Sequence, residues 1–146
     1  MKPVHSWLTR HSFTLLRISI GIIYLWFGAL KYFPNLSPAD QLAKDTINLL
    51  TLGLIPPSLS IILLAIWETA LGLVLILGIW QRLAFYVLMV HMFCTFIPLF
   101  FFADISFTNL PYAFTLVGQY IMKNLIIICA ALVLYTRADA RMSVTK

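Results

Sequence analysis

The chain has 146 residues, 62% of them hydrophobic and 10% charged, with a formal net charge of +5 and a mean hydropathy of +0.96. A soluble domain of this size carries about 25% charged and about 45–50% apolar residues, so one small core cannot hide this much apolar surface. The composition specifies a membrane protein, leaves no length for a separate large catalytic domain, and excludes nucleic-acid binding; the positive charge is a topology signal instead. Cys94 and Cys129 are the two cysteines. They lie in apolar runs without a C-x-x-C pair, and read as small hydrophobes rather than a disulfide or metal set.

A helix needs about 20 mostly apolar residues to cross the hydrocarbon layer. Stretches 13–33, 58–80, 83–103 and 113–135 qualify, giving an all-α four-transmembrane-helix bundle in a single domain over residues 1–146. The first stretch does not read as a cleaved leader. Its apolar run is too long, it carries Arg17 and Lys31, and no A-x-A-like site follows. Along it, Arg17, Gly21, Tyr24, Gly28 and Lys31 recur on one helical face. The glycines allow close approach of a neighbouring helix, and the two charged ends are expected to snorkel to the surfaces.

In the first outer loop, Ser37-Pro38-Ala39-Asp40 reads as an N-cap, a proline at the first helical position and a first-turn acid. Ala43, Ile47, Leu50 and Leu54 follow at helical spacing and Gly53 is a C-cap candidate, so a short amphipathic interfacial helix is expected there. The Gln81-Arg82 connection is short enough to make the second and third spans antiparallel neighbours. Asp104 to Pro111 reads as a second outer loop, with Asn109 and Pro111 as turn formers. Lys2, Arg10, Arg82, Arg137, Arg141 and Lys146 gather on the side that holds both termini, which places the termini in the cytoplasm.

Ionisable groups at mid-membrane cost about 2.5–3.5 kcal/mol each on insertion scales, and those that occur mostly face the protein interior. Counted from the span ends at about 1.5 Å of rise per residue, Glu68, His91, Lys123 and Asn124 fall within roughly one turn of a common depth, with Tyr24 from the first span. The expected arrangement pairs Glu68 with Lys123. His91 adds a group that titrates near neutrality, Tyr24 and Asn124 add hydrogen-bonding groups, and Gln119 extends the polar track outward. Trp26, Phe27, Trp67 and Tyr120 are placed to flank a flat apolar ligand. Two readings stay open: a binding pocket or proton path at the bundle centre, and a buried ion pair that only sets helix register. His91 and Glu68 alone are too few for a metal shell, so no metal is expected. Cys94, three residues after His91, is expected to be an inert thiol.

The run Leu16 to Pro34 (LRISIGIIYLWFGALKYFP) with Leu36-Ser37-Pro38-Ala39 after it resembles the opening helix of the DoxX family. Trp67-Glu68-Thr69-Ala70-Leu71-Gly72 resembles that family's second helix, and His91-Met92 with Thr95-Phe96 and Pro98-Leu99 its third. Gly118-Gln119-Tyr120-Ile121-Met122-Lys123-Asn124-Leu125 resembles its fourth, although Val117 stands where that pattern often has an acid. The resemblance implies a small four-helix inner-membrane protein. Through the related DoxD-type subunits of thiosulfate:quinone oxidoreductases, it also implies a redox or quinone connection with partner subunits.

Together these readings give a membrane oxidoreductase component with a quinone as candidate cofactor. Glu68 and His91 exchange protons, while Tyr24, Trp26, Gln119, Lys123 and Asn124 bind the ligand. The lipid bilayer and partner subunits are the expected partners, a homo-oligomer is left open, and no nucleic acid is expected. The alternatives are a non-catalytic assembly partner and a small-lipophile carrier.

Overall fold

The computed structural model describes residues 2–33, 36–37 and 39–143. Pro34, Pro38 and Lys146, each used in the sequence reading, lie outside the described residues, as do the side chains of Lys2 and Arg141. In chain order the elements are α1 (Lys2–Leu30), α2 (Asp40–Leu50), α3 (Pro57–Leu77), α4 (Gln81–Phe101), α5 (Ala103–Ser106), β1 (Phe107–Asn109), β2 (Ala113–Phe114), α6 (Leu116–Met122) and α7 (Asn124–Ser143). Four helical stretches are long and apolar enough to cross a membrane: Val4–Leu30, Pro57–Leu77, Gln81–Phe101 and Leu116–Arg137.

These spans match the expected four, with corrections at their ends. The first begins well before residue 13. Its opening turns carry His5, Thr9, His11 and Ser12, polar groups that interrupt the apolar run without interrupting the helix. They fold back onto their own helix, Thr9 Oγ1 donating to His5 O and His11 Nδ1 to Trp7 O, both at 2.9 Å. The second span starts with Pro57 at the first helical position, where its missing N–H costs nothing. It ends at Gly78, whose φ of +74° provides the left-handed C-cap. The chain reverses through Ile79 and Trp80, so Gln81 and Arg82 open α4 instead of forming the connection themselves. The fourth span is two helices, α6 and α7, meeting at Lys123.

The tightest packing joins α1 to α3. A Cβ added at Gly72 would lie 2.6 Å from Leu25 N and 2.8 Å from Gly21 O, and one added at Gly28 would lie 2.8 Å from Thr69 N. Two helix backbones meet there with nothing between them, the association that small residues make possible where lipid supplies no hydrophobic drive. The core beside this seam is built from Ile20, Leu71, Leu75, Leu88, Met92 and Ala131, which ties α4 and α7 to it. Large residues such as Trp26, Phe93 and Phe100 face out of the bundle, as lipid-contacting helices require.

On the loop side, α2 packs against α3 and, more lightly, against α4. The expected amphipathic helix is present, but it begins at Asp40 with Ala39 as an uncapped N-cap and ends at Leu50. Ser37 is buried and makes no side-chain cap, and Leu54 lies beyond the helix and is exposed. The buried centre of its face is Thr46, whose Oγ1 donates to Leu42 O at 2.6 Å and so needs no other partner.

The second outer loop contains more structure than a turn: α5 leads into a small antiparallel hairpin of β1 and β2. Ser106 is fully buried beneath it, its Oγ donating to Pro98 O at 3.2 Å. Thr115 joins this cap to the fourth span. Its Oγ1 accepts from Gly118 N at 3.1 Å and donates to Ile105 O at 2.6 Å. Thr115→Ala is therefore expected to cost about 1–2 kcal/mol, the upper range for an N-cap, because two bonds are lost. Thr115→Ser should restore most of it, read as the unfolding midpoint in detergent.

Candidate functional site

The one acid inside the spans sets the geometry. Glu68 lies near the middle of α3, on the buried face shared by Ala65, Leu71 and Gly72. Its Oε2 accepts from Lys31 Nζ at 2.6 Å, and both side chains are almost completely enclosed. Lys31 stands just past the end of α1, yet it does not snorkel outward. Cα–Cβ bonds tilt toward a helix's N-terminus, and α1 arrives from the termini side, so the lysine stem folds back into the bundle. Its ammonium also donates to Phe27 O at 3.3 Å and lies 6.0 Å from the centre of the Phe27 ring. A buried pair is tolerable only when further hydrogen bonds meet its remaining groups, and that carbonyl supplies one.

His91 approaches the other carboxylate oxygen, its Nε2 3.8 Å from Glu68 Oε1. Tyr24 presents its ring to His91 edge-on, the centroids 5.4 Å apart and the planes at 77°. Three helices thus meet at one cluster: α1 through Tyr24, α3 through Glu68 and α4 through His91. Lys31 closes it from the loop side. Three buried polar atoms have no hydrogen-bond partner among the described residues: Tyr24 Oη and His91 Nδ1 in the cluster, and Thr69 Oγ1 against Gly28 at the α1–α3 seam. Buried polar groups are satisfied in the large majority of cases, so Tyr24 Oη and His91 Nδ1 stand out beside the ion pair.

The remaining sequence candidates separate from this cluster. Lys123 does not pair with Glu68. It is exposed, its ammonium 3.3 Å from the centre of the Tyr120 ring. Two residues after the buried Ile121, Lys123 lies on the opposite side of the helix and therefore on the exterior. Asn124 does face the interior, but its Nδ2 donates to Thr95 Oγ1 at 3.1 Å and Thr95 donates to Met92 O at 2.6 Å, which makes it a tie between α4 and α7. Gln119 is exposed, 3.4 Å from Phe114 O. Trp26 is 65% exposed and faces outward, whereas Phe27 lies edge-on to Tyr120 at 6.4 Å. Sequence reasoning missed Lys31 as the partner of Glu68. The signal for Lys31 was its place one turn beyond Gly28 on the Tyr24 face.

Four spanning helices whose outer faces contact lipid, closed around a charged pair, define a multi-pass membrane protein. The sequence matches the DoxX family model over residues 12–103, and the chain belongs to that family. The matched region contains Tyr24, Lys31, Glu68, Thr69 and His91, while the fourth span lies beyond it. No curated protein and no solved structure matches the chain.

Proposed function

We propose that this chain is a quinone- or redox-linked component of a membrane oxidoreductase, set in a bacterial-type inner membrane with both termini in the cytoplasm. The observation that carries the reading is the enclosed Lys31–Glu68 pair with Tyr24 Oη and His91 Nδ1 unpartnered beside it among the described residues. A hydroxyl and a ring nitrogen are the groups that bind a carbonyl or hydroxyl oxygen. A quinone, when bound, supplies two-electron, two-proton chemistry that no side chain here can perform. The chain's own part is proton handling and orientation. Tyr24 donates to the ligand oxygen, His91 holds or releases a proton between that oxygen and Glu68, and Lys31 keeps the carboxylate charged and in place. Electrons then come from a partner subunit.

Tyr24, Glu68 and His91 are retained from the sequence reading as site residues, joined by Lys31. On this reading Lys123, Gln119, Asn124 and Trp26 take no part in ligand contact. The bond from Lys31 to Phe27 O favours a second reading, in which a well-satisfied pair anchors α1 to α3 in a non-catalytic assembly partner.

Mass spectrometry of small lipophiles co-purified in nanodiscs distinguishes the two. Wild type is expected to carry about one quinone per chain and Glu68→Gln much less. A well-folded wild type without quinone, or a Glu68→Gln protein that keeps it, contradicts the proposal.

A further inference from the structure

The Lys31–Glu68 pair is enclosed, so a lipophile that reaches it from the bilayer must pass between two spans. Most of the seams are shut. α1 and α3 meet backbone to backbone at Gly21, Gly28 and Gly72. On the loop side the seam between α3 and α4 is covered by α2, which packs against both. Asn124 ties the start of α7 to Thr95 of α4, and α6 packs against α4 and α5. The seam between α1 and the fourth span differs along its length. Its termini-side half is closed where α1 packs along α7. In its loop-side half the described contact is a pair of rings, Phe27 of α1 lying edge-on to Tyr120 of α6 with the centroids 6.4 Å apart. We propose that these two rings are the leaves of a lateral entrance, through which a quinone-like lipophile passes from the bilayer to the Glu68 cluster. The entrance rests on the function inferred above and supplies its route of access.

Phe27 stands directly in front of the ion pair. Its carbonyl accepts from Lys31 Nζ at 3.3 Å, its ring centre is 6.0 Å from that nitrogen, and the nitrogen is 2.6 Å from Glu68. Tyr24, whose hydroxyl is proposed to meet the ligand, lies one turn earlier on α1. Tyr120 is 44% exposed on the bundle exterior. One aromatic layer therefore separates the bilayer from the cluster. Opening it asks only for rotamer changes, which are fast, whereas parting α1 from α3 requires a slower movement of whole helices. Aromatic faces also suit the passage of a flat ring, which can stack on each in turn. Lys123 steadies the outer leaf, its ammonium 3.3 Å from the Tyr120 ring centre. That contact gives the exposed lysine a role without any contact to the bound ligand.

Stopped-flow binding of a short-chain quinone to nanodisc-embedded protein, followed by tryptophan fluorescence, tests this. An entrance sets the barrier that is crossed in both directions, so changing it alters both rate constants alike and leaves Kd where it was. Tyr120→Ala should raise the association and dissociation rate constants about fivefold each, with Kd within about twofold of wild type. Lys123→Met, which only frees the outer leaf, should raise both about threefold. Phe93→Ala, on the exposed face of α4, should leave both unchanged. Rates unaltered in Tyr120→Ala, or raised as much by Phe93→Ala, overturn the entrance and leave the quinone site standing. Should Tyr120→Ala fail to fold, Lys123→Met decides on the same terms. A well-folded wild type that binds no quinone overturns the proposed function, and the entrance with it.

Discussion

Lys31→Met is expected to be the most destabilising charge removal in the chain, costing about 3–5 kcal/mol, because it leaves the Glu68 carboxylate enclosed without its cation. Lys31 Nζ is 2.6 Å from that carboxylate and its side chain is 7% exposed, so water cannot replace what the ammonium provides. Lys123→Met should change stability by no more than about 0.5 kcal/mol, since that ammonium lies on the bundle exterior over Tyr120. The double replacement Lys31→Met with Glu68→Leu should recover most of the loss, as apolar substitutes for whole buried pairs do. Reversible unfolding in mixed micelles measures all three. A larger loss for Lys123→Met than for Lys31→Met would return the pairing to the one the sequence suggested.

Gly72→Val is the second large effect. The added Cβ would meet Leu25 N at 2.6 Å and Gly21 O at 2.8 Å. Both are backbone atoms of α1, so no rotamer change relieves the clash and the helices must separate. Overpacking costs about 1–3 kcal/mol where side chains can shift, occasionally more; here the loss should reach or exceed the upper figure. Because the α1–α3 seam also aims Lys31 at Glu68, the same variant should lose bound ligand. Ala70→Val, two residues away on the exposed face of α3, should be close to neutral in the same unfolding assay. Equal behaviour of the two variants would show that the seam is not set by backbone contact.

The four spans were legible because each holds enough consecutive apolar residues to satisfy the hydrocarbon layer, whatever its neighbours do. What escaped notice depends on features that hydropathy does not carry. The first turns of α1 carry His5, Thr9, His11 and Ser12, which end the apolar run in the sequence but not the helix. The break at Lys123 separates two helices that are both apolar, so no change of composition announces it. The β1–β2 hairpin is too short for an alternating pattern to register.

The site divides along the same line. Depth counting brought Tyr24, Glu68 and His91 together correctly, since rise per residue fixes where a Cα lies. It chose the wrong lysine because depth along the axis leaves open which side of the helix a residue occupies, and because a long side chain acts at a distance from its Cα. Lys31 follows the buried Tyr24 and Gly28 on one helical face, whereas Lys123 follows the buried Ile121 by two residues and so faces outward. The Tyr24–Gly28–Lys31 face already contained the answer.

Tyr24→Phe tests the central claim most directly, because it separates holding a ligand from holding the fold. Tyr24 Oη has no hydrogen-bond partner among the described residues, so its loss removes an unsatisfied buried group and should leave the unfolding midpoint unchanged or slightly raised. If the cluster binds a quinone through that hydroxyl, binding of a short-chain quinone to nanodisc-embedded protein should weaken about tenfold, the equivalent of about 1.4 kcal/mol. Unweakened binding in Tyr24→Phe, or binding absent from a well-folded wild type, would contradict the account and leave the Lys31–Glu68 pair as an anchor of the fold.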